Sequence, residues 1–479
     1  MDNIVNKEQG LEIFGSGKAQ RRARPALTYK EAAREIPVFA ETDVLVTGGG
    51  PAGTAAAIAA ARLGARVMLV ERYNHLGGLS TGGLVIWIDR MTDWHGKPVI
   101  TGLAQEFFER LPKDAVMGPP RASWGSKDAA TAAYWAQRTA AYHGIVTWSP
   151  TLDPEALKTL SMQMVTEQTV QLALHSWAAQ AVVEDGAMRG AIFESKEGRQ
   201  AIFAKVVVDT TGDADLIARA NLPLENDIDN EDIHHCMNTA FLFGGVDMER
   251  WLKFRASDPD GFSQFMAQGR KALGFFEKPF TSWRNDVALF MGPRLSGYSA
   301  VNVDDLTAVD IKSRELTVGH LDVYRKHAPG FENAFLMLGA PQIGVRHSRR
   351  VIGEGKVTRA EWSAGRVWDD EIGVSPSLSP KFPSVSIPYG ALVPKGIDGV
   401  LVAGRHISSD ANSHTFLREI PQCWVTGQAA GVAAALAANT GTKPRELDPR
   451  EIQRQLMKQG VYLSPGVETA ASGALSAAE

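Results

Sequence analysis

The fold is decided by the stretch Asp43-Val44-Leu45-Val46-Thr47-Gly48-Gly49-Gly50-Pro51-Ala52-Gly53. An apolar strand precedes the glycines, and an alanine-rich helix over residues 54–63 follows them, with Gly64 ending it as a C′ residue. A second apolar strand, residues 66–70, then ends in the acid Glu71. A strand, a glycine turn, a helix and a strand that ends in an acid form the unit that binds a dinucleotide.

The glycines and the acid suit different parts of a dinucleotide. Gly48 allows the tight turn, Gly50 lets the backbone approach a pyrophosphate, and Gly53 lets the helix pack closely on the strand. Free N–H groups at the helix start then point at the anion. Glu71 follows at nearly the spacing at which a carboxylate accepts hydrogen bonds from ribose hydroxyls, and its charge would repel a 2′-phosphate. The alternative is a glycine turn without a ligand, which the complete motif disfavours.

Length and composition indicate a globular enzyme of two domains. The chain has 479 residues, of which 44% are apolar and 22% are charged, and these are ordinary values. The net charge of −4 gives no reason to expect nucleic acid or an anionic membrane as a partner. We interpret residues 1–40 as an N-terminal arm that docks on the body or on a neighbouring subunit, with a disordered terminus as the alternative.

The cysteines and the apolar segments indicate the cellular compartment and argue against several kinds of site. Cys236 and Cys423 are the two cysteines and form no CxxC pair, which argues against a disulfide framework, a zinc site or a dithiol centre. His234-His235-Cys236 does not predict a metal site, because adjacent residues face different ways. No stretch of about eighteen uncharged apolar residues is present, and no apolar segment follows Arg21-Arg22. We therefore expect a cytoplasmic protein that does not span a membrane.

The middle of the chain predicts a meander that rejoins a parallel sheet. Asp153 and Pro154 suit the start of a helix that runs to about Glu167. Short apolar runs then alternate with turns, which is typical of an antiparallel meander returning to a buried parallel strand. These runs are 170–174, 177–183, 188–193, 201–203 and 206–208. The last run enters Asp209-Thr210-Thr211-Gly212-Asp213, where a helix start brings backbone close to a ligand a second time.

Three further segments stand out. The run Leu76-Gly77-Gly78-Leu79-Ser80-Thr81-Gly82-Gly83 suggests backbone beside a ligand, or else a flexible loop. Residues 400–405 read as a buried strand with a glycine exit, and Pro421 fits the first turn of a helix to about Ala438. A group of tryptophans suits core packing more than stacking on a planar or sugar-like substrate. The group comprises Trp87, Trp94, Trp124, Trp135 and Trp148.

Together these segments resemble the FAD-dependent oxidoreductases of the glutathione-reductase-like, two-dinucleotide-fold superfamily. The matching stretches are 44–71 with Gly77-Gly78, 206–213, 343–350 and 400–431. The resemblance implies FAD as cofactor and an α/β fold, in which a Rossmann-like FAD-binding domain with a parallel sheet and an antiparallel meander carries an inserted α+β substrate domain. The expected divisions are an arm (1–40), two parts of the FAD-binding domain (41–222 and 385–441), the insert (223–384) and a C-terminal helix and tail (442–479).

The resemblance also implies which residues hold FAD. The first motif holds the adenosine diphosphate half, and the C-terminal Gly-Arg and Gly-Gln-Ala-Ala-Gly segments hold the ribityl and flavin ends. The expected cofactor residues are Gly48, Gly50, Pro51, Ala52, Gly53, Glu71, Arg72, Gly78, Leu79, Ser80, Thr81, Gly212, Gly404, Arg405, Asp410, Gln428 and Ala429. A helix N-terminus aimed at the flavin would stabilise the negative charge that hydride transfer leaves at N1 and C2=O.

Flavin dehydrogenation needs a hydride donor over flavin N5 and a base for the accompanying proton. His414 suits the base, and Arg418 suits the orientation of an anionic or oxygen-rich substrate. The alternative is that both residues brace the loop against FAD. Family members often carry an acid where this chain has His347, so a base or a packing histidine are both open there. His75 lies beside the flavin segment, as a covalent attachment point for FAD or as an ordinary hydrogen-bonding residue.

These features favour a dehydrogenase or oxidase that takes a hydride from a small alcohol, sugar-like molecule or amine. No second nucleotide-binding motif is visible, so we expect the electrons to come from the substrate and to leave to oxygen, a quinone or a carrier protein. The alternatives are a flavin monooxygenase and a redox subunit that depends on a partner protein. A role in modifying tRNA is disfavoured because no basic face shows in the composition. A homo-oligomer, most simply a dimer, is expected.

Overall fold

The computed structural model describes residues 23–226 and 236–473. The first part of the predicted arm, His234-His235 and the end of the predicted tail lie outside these residues. The described strands are β1 (Val38–Thr47), β2 (Val67–Val70), β3 (Val116–Met117), β4 (Ala141–Tyr142), β5 (Ile145–Val146), β6 (Thr151–Leu152), β7 (Gln171–Ala173), β8 (Trp177–Glu184), β9 (Ala187–Ser195), β10 (Gly198–Asp209), β11 (Leu224–Asn226), β12 (Cys236–Asn238), β13 (Phe241–Gly244), β14 (Phe280–Thr281), β15 (Val287–Phe290), β16 (Leu295–Ser296), β17 (Phe335–Gly339), β18 (Gly344–Val345), β19 (Arg349–Val351), β20 (Glu371–Ser375), β21 (Val385–Pro388) and β22 (Val400–Val402).

Helices cover this framework. They are α1 (Pro51–Ala61), α2 (Leu103–Arg110), α3 (Ala129–Gln137), α4 (Pro154–Glu167), α5 (Asp215–Arg219), α6 (Met248–Ser257), α7 (Pro259–Leu273), α8 (Val303–His327), α9 (Arg359–Ser363), α10 (Ala411–Leu417), α11 (Ile420–Thr440), α12 (Pro449–Lys458) and α13 (Pro465–Gly473). The result is the mixed α/β architecture that the sequence predicts.

A seven-stranded sheet organises the main part of the molecule. Its order is β7-β2-β1-β10-β9-β8, and β22 also pairs with β10. The strands β7, β2, β1, β10 and β22 run parallel, whereas β8 and β9 run antiparallel. Because parallel strands share one carboxyl edge, the segments that follow β1, β2, β10 and β22 meet there.

Most sequence predictions for this part are confirmed. Asp153 caps α4 by accepting bonds from the N–H groups of Glu155 and Ala156, and α11 covers the predicted helix. Two details were wrong. The run 170–174 contains β7, which extends the parallel side of the sheet rather than the meander. The runs 201–203 and 206–208 form one strand, because alternation continues through buried Ala204 and exposed Lys205.

The insert is an antiparallel unit that shares two strands with the main core. One of its sheets has the order β14-β15-β13-β17. Phe241 and Phe243 of β13 point into a cluster around Trp251, whereas Leu242 belongs to the main hydrophobic core. The expected boundary between 384 and 385 lies at the start of β21, whose hydrogen-bonded partner β20 precedes that boundary.

The tryptophans of the group pack against other side chains, with Trp94 buried and the other four partly buried. Trp124 and Trp148 lie 5.0 Å apart between ring centroids. Trp94 lies 5.3 Å from the ring of His143, and its indole N–H donates to the carbonyl of Ser377 at 3.2 Å. These contacts agree with the core interpretation.

Candidate functional site

A cavity opens at the carboxyl edge of the parallel sheet. It is lined from the main sheet by the ends of β1, β2, β10 and β22, and from the insert by Gln342, Ile343 and Val345. This is the place where ligands bind to open sheets with parallel strands, because several loops and helix starts converge there.

The glycine turn after β1 shapes one wall of the cavity. Gly48 has φ +101°, and a Cβ placed on Gly53 would lie 1.7 Å from the carbonyl oxygen of Gly48. A Cβ on Gly50, in contrast, would meet no protein atom within 4 Å. Gly48 and Gly53 therefore pack directly against other backbone atoms. Gly50, where α1 begins, faces open space.

Glu71 fixes this turn from the end of β2. One carboxylate oxygen accepts a hydrogen bond from the N–H of Gly49 at 2.5 Å, and the other accepts from the N–H of Tyr73 at 2.8 Å. The side chain is buried and lines the cavity. Each carboxylate oxygen has a second lone pair, so a bond from ribose is compatible with these contacts and stays a prediction.

The start of β8 supplies a platform that sequence reasoning missed. Ser176, Trp177 and Ala178 line the cavity, and 52% of the Trp177 surface is exposed. The Arg72 guanidinium lies 4.9 Å from the ring centroids of both Tyr73 and Trp177. The pairing of distant strands brings Trp177 here, and no local motif marks it.

Asp213 and Asp215 form the polar wall after β10. The hydroxyl of Ser348 donates to the carboxylate of Asp213, and Arg405 donates to the same oxygen at 2.6 Å. Burial opposes ionisation of Asp213, but Arg405 and Ser348 together hold its pKa below the usual value. Burial, and then the charges of Asp213 and Asp209, raise the pKa of Asp215 to about 6. Both acids line the cavity. Of this segment, only Gly212 was predicted from the sequence as a cofactor residue.

Leu79, Arg418 and the first turn of α11 also line the cavity. Ile420 and Cys423 of that turn line the cavity, so the N-terminus of α11 faces it. Burial raises the pKa of the Cys423 thiol to about 12. Cys423 therefore stays a thiol at neutral pH, and thiolate chemistry is not expected there.

His414 is buried beside Arg418, and one of its ring nitrogens makes no hydrogen bond within the described part of the chain. Its Nε2 has no hydrogen-bond partner among the described residues. Burial lowers the pKa of His414 well below its usual value, and the positive charges of Arg418 and Arg350 lower it further. The imidazole is consequently neutral at physiological pH, so one of its two ring nitrogens carries a lone pair, as a proton acceptor requires.

His347 packs on this histidine and is oriented by an arginine. The His347 and His414 ring centroids are 4.5 Å apart in an edge-on arrangement. A guanidinium nitrogen of Arg350 lies 2.6 Å from Nε2 of His347. Because arginine is always a donor, Nε2 of His347 accepts this bond. Arg350 also donates to the carbonyl of Ser409 at 2.9 Å and pairs with Glu225 at 2.8 Å.

These features suit a large dinucleotide with a redox-active end. Gly50 and the start of α1 line the cavity, as do the exposed ring of Trp177 and the side chain of Arg418, and the unpartnered His414 lies beside Arg418. A family model described as FAD dependent oxidoreductase matches residues 43–456. The chain belongs to this FAD-dependent oxidoreductase family. Its cofactor is accordingly FAD.

Three solved structures that are similar to this FAD-dependent oxidoreductase have low sequence identity to it. A geranylgeranyl bacteriochlorophyll reductase-like protein from Thermoplasma acidophilum is 13% identical, with 90% of this chain and 91% of that chain covered and a TM-score of 0.46. L-proline dehydrogenase from P. horikoshii is 11% identical, with 88% and 99% covered and a TM-score of 0.41. An anhydrotetracycline hydroxylase from Streptomyces rimosus is 13% identical, with 88% and 66% covered and a TM-score of 0.39.

The structure brings most of the expected FAD residues together. Those that line the cavity are Gly48, Gly50, Pro51, Ala52, Glu71, Arg72, Gly78, Leu79, Gly212, Gly404 and Arg405, and Arg418 lines it too. Gly53, Ser80, Thr81, Asp410, Gln428, Ala429 and His414 are not among the lining residues. Ser80 and Thr81 use their hydroxyls within their own loop, donating to the carbonyls of Gly77 and Leu76.

Two of the expected FAD residues have other hydrogen-bond partners, and a third is buried. Asp410 caps α10 through the N–H of Ser413 and also accepts from the N–H of Arg359. The side-chain oxygen of Gln428 accepts from the N–H of Leu103 at 2.9 Å, and Ala429 is fully buried. The Gly-Gln-Ala-Ala-Gly segment thus packs inside the protein, and the part of α11 that reaches the cavity is its first turn.

Two further sequence predictions concern metals and membranes. The described residues contain no group of three or more His, Cys, Asp or Glu side chains that could hold a metal ion. Within the same part of the chain, every helix is too short or too polar to cross a membrane. His75 is buried with Nε2 unpartnered, facing Gly82 rather than lining the cavity.

Proposed function

We propose that this FAD-dependent oxidoreductase is a dehydrogenase or oxidase that takes a hydride from a carbon bearing a hydroxyl or amino group. The observation that carries the proposal is the buried, unpartnered Nε2 of His414 beside the Arg418 end of the FAD cavity. A buried nitrogen without a partner costs free energy unless a ligand or water bonds to it. A substrate O–H or N–H group is the complementary donor.

His414 acts in this proposal as the proton acceptor. When bound, FAD supplies the hydride-accepting centre. The hydroxyl or amino proton of the substrate passes to Nε2 of His414, while Arg418 orients the substrate or stabilises charge that develops on it. His347 and Arg350 keep the His414 ring in place. The positive charges of Arg350 and Arg418 favour the neutral form of His414 before the substrate binds.

The residues that line the cavity support a proposal for the other FAD contacts. The N–H groups at the start of α1 would hold the pyrophosphate next to Gly50, and Trp177 would contact the adenine. Glu71 would meet the ribose, and the first turn of α11 would face the flavin. We further propose a small-molecule substrate, a cytoplasmic location and a homo-oligomeric state, in keeping with the composition and the cysteine content.

The first test is an anaerobic titration of the FAD-loaded protein, followed through the flavin absorbance. Alcohols, sugars, amines, amino acids and hydroxy acids are compared with NADH and NADPH. We expect one organic class to bleach the flavin. Bleaching by NADH or NADPH alone would contradict the proposal and favour a monooxygenase or reductase. No bleaching by any compound would favour a redox subunit that depends on a partner protein.

The second test replaces the base. His414→Gln should retain FAD but reduce the rate of flavin reduction by about 10²-fold or more, because general bases contribute this much. His327→Gln, an exposed histidine at the end of α8, is the matched control. Since burial lowers the pKa of His414, the wild-type rate should be constant above pH 6.5 and fall only under more acidic conditions. An unchanged rate in His414→Gln would show that His414 is not the base and only supports the loop that carries it.

A further inference from the structure

Exposed apolar side chains are concentrated in one segment of the insert. Sixteen large apolar side chains are exposed in the part of the chain that the structure describes, and seven of them come from residues 301–337. They are Val301, Val303, Ile311, Val318, Phe335, Leu336 and Met337, each with 42–58% of its surface exposed. Single exposed apolar residues are normal on a protein surface, whereas such a concentration is typical of a surface that binds another protein.

Three of these side chains form a stripe along the long helix α8. Val303, Ile311 and Val318 follow one another at intervals of eight and seven residues, which are close to two helical turns. Thr307 and Arg314 lie on the turns between them and are exposed as well. The other side of α8 packs into the core of the insert. The stripe, defined by these five residues, therefore faces away from the body of the protein.

A groove runs along one side of the stripe. Its apolar lining comes from Val303, Leu306 and Ile311 of α8 and from Ile343, which precedes β18, and its charged lining comes from Asp310 and Arg314. Ile343 also lines the FAD cavity. The groove thus lies next to the FAD cavity and offers an apolar place for side chains of a second helix.

The stripe is complementary to itself when two copies run in opposite directions. A twofold axis beside Ile311 places residues that are equally far before and after Ile311 opposite one another. Val303 lies eight residues before it and Val318 seven residues after it, so each Val303 meets Val318 of the partner subunit. Ile311 meets its own copy on the axis. An interface with twofold symmetry uses the same patch of both subunits, and this spacing sets apolar side chains against apolar side chains at its centre and at both ends.

The charges beside the stripe fit the same arrangement. Asp310 and Arg314 line the same groove, and within one chain a guanidinium nitrogen of Arg314 lies 3.7 Å from the Asp310 carboxylate. Asp310 precedes Ile311 by one residue, and Arg314 follows it by three. Antiparallel packing therefore brings the partner's Arg314 within reach of each Asp310, on the same side of the interface. Opposite charges across an interface select its register, and here they select the register that the apolar residues also favour.

We propose that two copies of this protein form a dimer in which their α8 helices pack antiparallel along the stripe. Val318 of the partner subunit enters the groove beside Val303, and the two Ile311 side chains meet on the twofold axis. The inference goes beyond the proposed function, since it concerns a contact surface and not the reaction. Because the groove and the FAD cavity share Ile343, the dimer also covers the outer side of that part of the cavity wall.

The first test measures the mass of the full-length, FAD-loaded protein by size-exclusion chromatography with light scattering over a range of concentrations. We expect twice the mass of one chain. Ile311→Arg brings two like charges together on the twofold axis and should weaken dimerisation at least tenfold. Because Ile311 is exposed, the melting temperature of the FAD-loaded monomer should show that the variant is folded. Val367→Arg, at an exposed apolar residue outside the stripe, is the control and should remain a dimer.

The second test examines the antiparallel register. Arg314→Asp sets acid against acid and should weaken dimerisation, and the double variant Asp310→Arg/Arg314→Asp should restore it because opposite charges face each other again. Ile311→Cys should form a disulfide between subunits under mild oxidation, since the two residues meet on the axis. The wild type and Val367→Cys, treated in the same way, should not crosslink.

A wild-type protein that is monomeric at every concentration overturns the inference. Slow labelling of Ile311→Cys by a thiol reagent would then assign the stripe to another segment of the same chain, and rapid labelling would leave it to a different protein. The inference is equally overturned by a dimer that persists in Ile311→Arg and is not crosslinked in Ile311→Cys, because such a dimer uses another face. A dimer that Ile311→Arg dissociates but the double charge exchange does not restore would refute the antiparallel register.

Discussion

At the scale of single residues, two glycines of one turn have different tasks. A Cβ on Gly53 would lie 1.7 Å from a backbone oxygen, whereas a Cβ on Gly50 would meet nothing within 4 Å. The first glycine is therefore needed by the protein itself. The second leaves open space at the start of α1, where we propose that the FAD pyrophosphate approaches the backbone.

This difference predicts opposite results for two substitutions. Gly50→Val should fold with a melting temperature close to that of the FAD-free wild type and should lose FAD, because its side chain fills the space of the pyrophosphate. Gly53→Val should destabilise the protein by more than about 3 kcal/mol, since overpacking against backbone has no easy relief. Calorimetry of FAD-free proteins and the flavin absorbance after purification measure the two effects. A Gly50→Val protein that stays fully yellow would refute the assignment.

The glycines that the backbone of the turn requires could be predicted from the sequence. The side chains that other strands bring to the cavity could not. Gly48 and Gly50 stand in a motif whose spacing is local, so their places were visible. Trp177 reaches the cavity only because β8 pairs with β9, and β9 with β10. His347 reaches His414 only because the insert returns to the main sheet. The sequence around Trp177 and His347 does not show which residues they approach in the folded protein.

At the scale of elements, α11 is held against α1 by small residues. A Cβ on Gly427 would lie 2.2 Å from the carbonyl oxygen of Ala52, and a Cβ on Gly431 would lie 2.2 Å from that of Ala56. The glycines let the two helices touch along their backbones. The motif that resembles a flavin-binding segment thus positions the first turn of α11, with Ile420 and Cys423, at the cavity.

Gly427→Ala should consequently weaken both the fold and FAD binding. The added methyl group pushes α11 away from α1, and we expect a loss of about 1–3 kcal/mol in the free energy of unfolding, together with weaker FAD retention. Gly466→Ala in α13 is the control, because a Cβ there meets open space and alanine favours helix. Urea titration and FAD dissociation measure the outcome. Equal stability of the two variants would show that the helices have room to spare.

At the scale of the whole molecule, the insert is more closely joined to the main body than the sequence indicated. Loss of the strand and helix alternation after residue 223 predicted an inserted domain there. The sequence did not show that β13 and β15 present one face to each core. Ala288 and Phe290 belong to the insert cluster, whereas Leu289 belongs to the main core. Alternation along a strand predicts two buried faces, but not which other segments cover them.

Shared strands predict that the insert and the main body unfold together. Phe331 is fully buried in the insert cluster, and truncating such a residue costs about 3–5 kcal/mol. Because β13 and β15 transmit the loss to the main core, Phe331→Ala should lower hydrogen-exchange protection in α11 as well as in α7 and α8. Mass spectrometry of exchange at rising urea measures each helix. Leu242→Ala, on the opposite face of β13, should shift the same helices. Loss of protection confined to α7 and α8 would instead define an insert that unfolds by itself, leaving the FAD cavity without its Gln342 wall while α1 and α11 stay in place.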